Sequence, residues 1–130
     1  MAKIERFEDL EIWQLARELA NELYLEYSEG IFNKDFELKG QMNGSSGSVM
    51  DNIAEGFERG GNKEFINFLI IAKGSAGELR SQIYRAFDRT YFSQDKFAKY
   101  KSKVEIISKK ISSLIITLRN SDMKGYYRMK

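Results

Sequence analysis

The sequence predicts an all-α fold, an up-down-up-down antiparallel four-helix bundle. Three observations carry that expectation. Apolar residues recur at spacings of three and four in four separate segments, the period of one helical face. The 130 residues include no proline, which suits long uninterrupted helices. The gaps between segments are short and marked by glycine, asparagine or aspartate, and no segment reads as a strand. The length suits one domain with one core, so residues 1–120 are assigned to the bundle and 121–130 to a mobile basic and aromatic tail.

The first helix is placed at about residues 9–28. Asp9 is its expected N-cap and Glu11 lies in the first turn, where the helix dipole favours an acid. Leu10, Trp13, Ala16, Ala20, Leu23 and Tyr27 form an apolar stripe, widened by Ile12, Leu15 and Leu19, and Gly30 is a suitable stop. Phe32 is expected to anchor the following loop. Asn33 or Asp35 caps the second helix, placed at residues 35–57, with Gly56, Gly60 and Gly61 marking its end. In it Met42, Ser46, Val49 and Ile53 follow one face. Gly44 and Gly47 interrupt it at about 1 kcal/mol each against alanine, which suggests that another backbone comes very close.

Asn62 is the expected cap of the third helix, whose stripe is Phe65, Phe68, Leu69, Ala72, Ala76, Leu79, Ile83 and Ala86. Its run from Ala72 to Leu79, rich in small residues, mirrors the small residues of helix two. The two helices are therefore expected to pack tightly. Ser93 caps the fourth helix and Asn120 ends it. Phe97, Tyr100, Val104, Ile107, Ile111, Leu114 and Leu118 alternate at three and four over three heptads, with Ile106, Ile115 and Ile116 off that seam.

Composition excludes several function classes. Without cysteine there are neither disulfides nor thiolate metal sites, and without histidine the commonest general base and zinc ligand are missing. No metal or cofactor is expected, and no enzyme. No apolar run is long enough for a transmembrane helix, and the charged N-terminus is unlike a signal peptide, so the expected location is cytoplasmic. Charge is unevenly spread. Residues 1–58 carry 5 Lys/Arg against 13 Asp/Glu, and residues 59–130 carry 16 against 6. Such a split points to a charged partner, to attraction between subunits, or to solvated helix faces.

Two constellations stand out. A polar line on helix two, Gln41, Ser45, Ser48, Asn52 and Glu55, faces one on helix three, Ser75, Glu78 and Gln82. Antiparallel pairing about Gly60 puts Ser48 opposite Ala72, Gly44 near Ser75 and Gln41 near Glu78. Gln41, Ser48, Asn52, Glu55, Ser75 and Glu78 are read as a hydrogen-bonded network that fixes helix register. The second constellation is basic. Lys99, Lys103 and Lys110 follow one side of helix four with Lys96, and helix three carries Lys73, Arg80, Arg85 and Arg89. Evenly spaced cations of this kind can track phosphates, with strongly salt-dependent binding.

Several motifs carry a family resemblance. They are Phe7-x-Asp9-Leu10-x-Ile12-Trp13-x-x-Ala16, then Gln41, Ser48, Asn52-Ile-Ala-Glu-Gly56 and Arg59, then Glu64-Phe65-x-x-Phe68-Leu69 running on to Gly74-Ser75-x-x-Glu78-Leu79. Together they resemble the four-helix-bundle proteins encoded by intervening sequences in bacterial large-subunit ribosomal RNA genes, the S23-type family. Gly44 and Gly47 depart from the family's more usual alanine or larger residue. The resemblance implies a ring-like homopentamer with no catalytic residues, similar in fold to the accessory proteins of diversity-generating retroelements, which bind RNA and a reverse transcriptase. The leading expectation is a non-enzymatic oligomer that binds RNA or a ribonucleoprotein through helices three and four. The alternative is a protein-interaction scaffold without direct nucleic-acid binding.

Overall fold

The computed structural model describes residues 4–121, so the tail assigned to 121–130 lies, apart from Ser121, outside the described residues. Four helices form: α1 (Glu11–Tyr27), α2 (Phe36–Glu58), α3 (Asn62–Asp88) and α4 (Gln94–Arg119). Each packs against its chain neighbours and α4 closes on α1, giving the expected up-down-up-down bundle. The α2/α3 contact is the most extensive and α1/α4 the loosest.

The ends of the helices follow their local chemistry. Asp35 caps α2 by accepting from the Leu38 N–H at 3.1 Å, and Ser93 caps α4 by accepting from the Lys96 N–H at 3.1 Å. Two expected caps move. Asp9 belongs instead to a short 3-10 turn, Phe7–Asp9, where Arg6 approaches it at 3.5 Å, and Leu10 stands at the N-cap of α1 without a side-chain bond. Asn62 is the first residue of α3 and Gly61 holds the cap position. Gly30 takes φ +64° just beyond α1, as a helix stop requires.

The end of α3 is a Schellman turn. The Tyr91 N–H reaches the Ala86 carbonyl and the Thr90 N–H reaches the Phe87 carbonyl, both at 2.9 Å. The left-handed position, φ +65°, is occupied by Thr90 and not by glycine. Beside it, Phe32 in a second 3-10 turn, Phe32–Lys34, stacks on Tyr91 at 4.6 Å and meets Phe92 edge-on at 5.7 Å. Phe32 therefore anchors its loop as expected.

The core is one apolar cluster drawn from all four helices. In α4 the buried series is Tyr100, Val104, Ile107, Ile111, Ile115 and Leu118. The heptad reading placed Leu114 on the seam, but Leu114 is only partly buried and Ile115 takes the core position. A straight helix turns every 3.6 residues, so a strict 3.5 pattern drifts off the core within a few turns.

The glycine expectation is corrected. A Cβ built at Gly44, Gly47, Gly74 or Gly77 meets no heavy atom within 4 Å, so none of them admits a neighbouring helix of the bundle. Gly56 does. Its Cβ would stand 2.6 Å from the Cβ of Phe68 and 3.3 Å from the Phe65 carbonyl oxygen. The tight α2/α3 approach lies near the C-terminal end of α2, where Gly56 is buried and Phe57 packs edge-on against Phe65 at 5.8 Å.

Candidate functional site

The charged faces of α1 and α4 meet along the bundle. Glu11 pairs with Lys110 at 3.1 Å, Glu22 with Lys103 at 2.7 Å and Lys99 at 3.5 Å, and Glu26 with Lys96 at 3.0 Å. Glu18 also lies 3.6 Å from Lys103. The acids of α1 run in the opposite direction to the lysines of α4, as antiparallel helices require. Hydrogen bonding to Glu22 is the largest effect raising the Lys103 pKa above its ordinary value. Beneath this ladder the Tyr100 hydroxyl donates to Glu26 at 2.6 Å, and burial and then that bond push the phenol pKa upward.

The arginines of α3 are held in the same way. Arg80 reaches Glu105 at 3.3 Å, and Glu105 also receives Lys101 at 3.1 Å, a bond that holds the carboxyl pKa down. Arg85 donates to the Gln41 side-chain oxygen at 2.7 Å and lies 4.0 Å from Glu37. Arg89 donates to Asp35 at 2.7 Å. Asp35 also receives the Tyr91 hydroxyl at 2.8 Å. The Tyr91 bond, the Leu38 N–H and the Arg89 guanidinium together hold its carboxyl below the usual range. Of the seven cations singled out from the sequence, six are thus engaged within the protomer. Lys73 is exposed and makes no hydrogen bond or ion pair among the described residues.

Seven of the 13 acids in residues 1–58 thus pair with seven of the 16 cations in residues 59–130 inside one bundle. The signal was present in the sequence. Glu11, Glu18, Glu22 and Glu26 recur at seven, four and four on α1, the spacing that matches the lysines across from them.

The polar seam of α2 and α3 is real, but its register is shifted by about one turn from the expected one. Ser48 hydrogen-bonds Ser75 at 2.8 Å where Ala72 was expected opposite. Ser45 donates to Glu78 at 3.3 Å, and Gln41 meets Arg85. The turn between Glu58 and Asn62 is centred on Gly60, but the pairs Ser45–Glu78, Ser48–Ser75 and Gly56–Phe68 are centred on residues 61–62, the register at which Gly56 gives Phe68 room. Asn52 supports Ser48 from within α2, donating to its carbonyl at 2.8 Å and its hydroxyl at 3.0 Å. Glu55 is not part of the seam. It pairs with Arg59 at 2.7 Å one turn on, so the two carboxylates Glu55 and Glu78 do not converge.

Outside this seam lies an open groove of about 370 Å³ between α2 and α3, lined in part by Gln41, Gly44, Ser45, Ser48, Glu78 and Gln82. Gln82 is 5% exposed, and its buried Oε1 accepts no hydrogen bond. Such an orphan acceptor is uncommon in a native interior. Among the described residues, no group of three Asp or Glu is placed to hold a metal ion, and no helix is long and apolar enough to cross a membrane.

Comparison with known proteins places these features in a family. Residues 8–113 match the family described as 23S rRNA-intervening sequence protein. A crystal structure of a protein of unknown function from the S23 ribosomal protein family of Bacteroides thetaiotaomicron is 23% identical, with a TM-score of 0.73. The match covers 80% of this chain and 97% of that one and establishes likeness of fold. No curated protein matches the chain.

Proposed function

We propose that this chain, which belongs to the 23S rRNA-intervening sequence protein family, is a non-enzymatic helical bundle that works by assembling with other protein surfaces. The observation that carries this reading is the α1/α4 ion ladder together with the arginine pairs of α3. Cations already held by a carboxylate at about 3 Å are poor places for a phosphate to gain much, because each phosphate contact first displaces an internal partner. The interior is one apolar cluster drawn from all four helices. Apolar surface also lies on the outside of the helices, where Ile70, Ile71, Ile106 and Ile116 are each about half exposed.

The reading is tested by sedimentation of the full chain at rising concentration. The expected result is a species several times heavier than the 15.1 kDa protomer at micromolar concentration. A single protomer-sized species throughout refutes it. A second reading, RNA contact in the cytoplasm through the exposed basic face, rests on Lys73 and on the solvent-facing positions of Lys99 and Lys110. It requires steep salt dependence.

A further inference from the structure

The contact between α1 and α4 is the loosest in the bundle, and where α1 begins an open groove of about 480 Å³ lies between them. Its apolar part is Ile4, Leu10, Ile12 and Leu114; Leu10 and Ile12 are buried, whereas Ile4 and Leu114 are only partly covered. Leu114 has the spacing of a core residue, and it is left standing here once the 3.6-residue period has turned it off the core. The rim is acidic. Asp9 and Glu11 line it with side chains 47% and 65% exposed, and Glu5 and Glu8 are the chain neighbours of Ile4 and Asp9. Arg6 lies 3.5 Å from Asp9 and Lys110 3.1 Å from Glu11, which leaves Glu5 and Glu8 without an ion pair among the described residues.

We infer that this groove is covered by residues 122–130 of the same chain, which lie outside the described residues. Three observations select this occupant. The first is position: Thr117 lines the groove and α4 ends at Arg119, so the segment starts beside the site. The second is length. From Ser113 to Ser121 the chain climbs about 12 Å at 1.5 Å per helical residue, and nine extended residues span up to about 30 Å, enough to reverse and run back along the groove. The third is chemistry. The segment carries Met123, Tyr126, Tyr127 and Met129 for the apolar part, and Lys124, Arg128 and Lys130 against the one acid Asp122, a charge opposite to that of the rim.

The ion pairs of such a contact are exposed and screened by salt, so burial of the tyrosines and methionines supplies most of its strength. A weak contact suffices, because a short tether holds the segment at a millimolar effective concentration. Docked in this way, the segment covers apolar surface at the α1/α4 end that an outside partner would otherwise reach. The inference does not depend on the assembly proposed above.

The experiment is disulfide trapping in the full chain, which has no cysteine of its own. Ser113→Cys/Tyr127→Cys is compared with Ser112→Cys/Tyr127→Cys: Ser113 lines the groove, and Ser112 is its chain neighbour outside it. Both are oxidised with glutathione disulfide and followed by mass under non-reducing conditions. Rates are normalised to each thiol's reaction with a maleimide, and circular dichroism monitors the fold. The Ser113 pair is expected to close within one chain roughly tenfold faster than the Ser112 pair, and adding Glu5→Lys/Glu8→Lys is expected to slow it severalfold. Equal rates for the two pairs overturn the inference, because the tether alone then brings the segment to α4. A Ser113 pair that closes only between two chains also overturns it and assigns the groove to another copy's segment. A charge reversal without effect on the rate overturns the acidic rim as part of the site.

Discussion

Replacing Gly56 by alanine is expected to destabilise the bundle, whereas the same change at Gly44 is expected to stabilise it. At Gly56 the new Cβ stands 2.6 Å from the Cβ of Phe68, about 1 Å inside ordinary carbon–carbon contact. Both atoms are fixed directly to helical backbones, so no rotamer change relieves the overlap and α3 has to move. Overpacking of this kind costs about 1–3 kcal/mol, and the upper part of that range applies because the backbones themselves are in contact. Alanine's better helix propensity offsets about 1 kcal/mol, leaving a net loss of about 2 kcal/mol. At Gly44 the overlap term is absent and only the gain of about 1 kcal/mol remains. Urea unfolding monitored by circular dichroism reads both effects, at dilutions where the midpoint no longer depends on protein concentration. With a slope of about 1.5 kcal/mol/M, the midpoint falls by about 1.3 M for Gly56→Ala and rises by about 0.7 M for Gly44→Ala. Equal shifts of the same sign at the two positions would refute the assignment of the close helix contact to Gly56.

Three further predictions follow from the pairs described above. Thr90→Gly relieves a β-branched residue at φ +65° and is expected to add about 1 kcal/mol, read as a rise of a few degrees in the melting midpoint; an unchanged or lower midpoint contradicts it. Asp35→Asn removes a carboxylate whose pKa is lowered in the fold by Tyr91, Leu38 and Arg89. A depressed carboxyl stabilises the fold above its unfolded pKa, near 4, and that contribution is lost as pH falls through the folded value. The variant is therefore less stable than the parent at neutral pH, and the gap closes in acid below that window; a gap that does not vary with pH contradicts the assignment. The triple variant Lys99→Gln/Lys103→Gln/Lys110→Gln removes every pair of the α1/α4 ladder except Glu26–Lys96, at about 0.5 kcal/mol per partly exposed pair, or roughly 1–2 kcal/mol in total. That loss is expected to shrink as salt is raised, and calorimetry at low and high salt checks it.

The bundle was legible in the sequence because helical periodicity and core burial report the same physics. Ser93 at its cap, Asn120 at its C-cap and the buried series Met42, Ser46, Val49 and Ile53 all lie where their spacing puts them. What the pattern could not supply was which glycine bears a neighbour. Gly44 and Gly56 look alike along the chain, and only the register of α3 decides that Phe68 meets one and nothing meets the other. The same limit applies to charge. A stripe of lysines reads as a phosphate track until α1 is laid beside it, when Glu22 and Glu11 take up Lys103 and Lys110. Gln82 appeared in the polar line of α3, but its unfilled oxygen depends on side-chain geometry that spacing does not encode.

The salt dependence of binding to a structured RNA tests most directly whether the basic residues of α3 and α4 serve the bundle or a nucleic acid. With Lys99, Lys103, Lys110, Arg80, Arg85 and Arg89 held internally, the described cations without a hydrogen bond or ion pair are Arg17, Lys34, Lys63, Lys73, Lys109 and Arg119, and no element carries more than two of them. The account predicts weak binding with a log–log salt slope no steeper than about −2. Six phosphate contacts by those residues would instead give a slope of about −4 to −5, with loss of binding in the triple lysine variant, and that result contradicts the account.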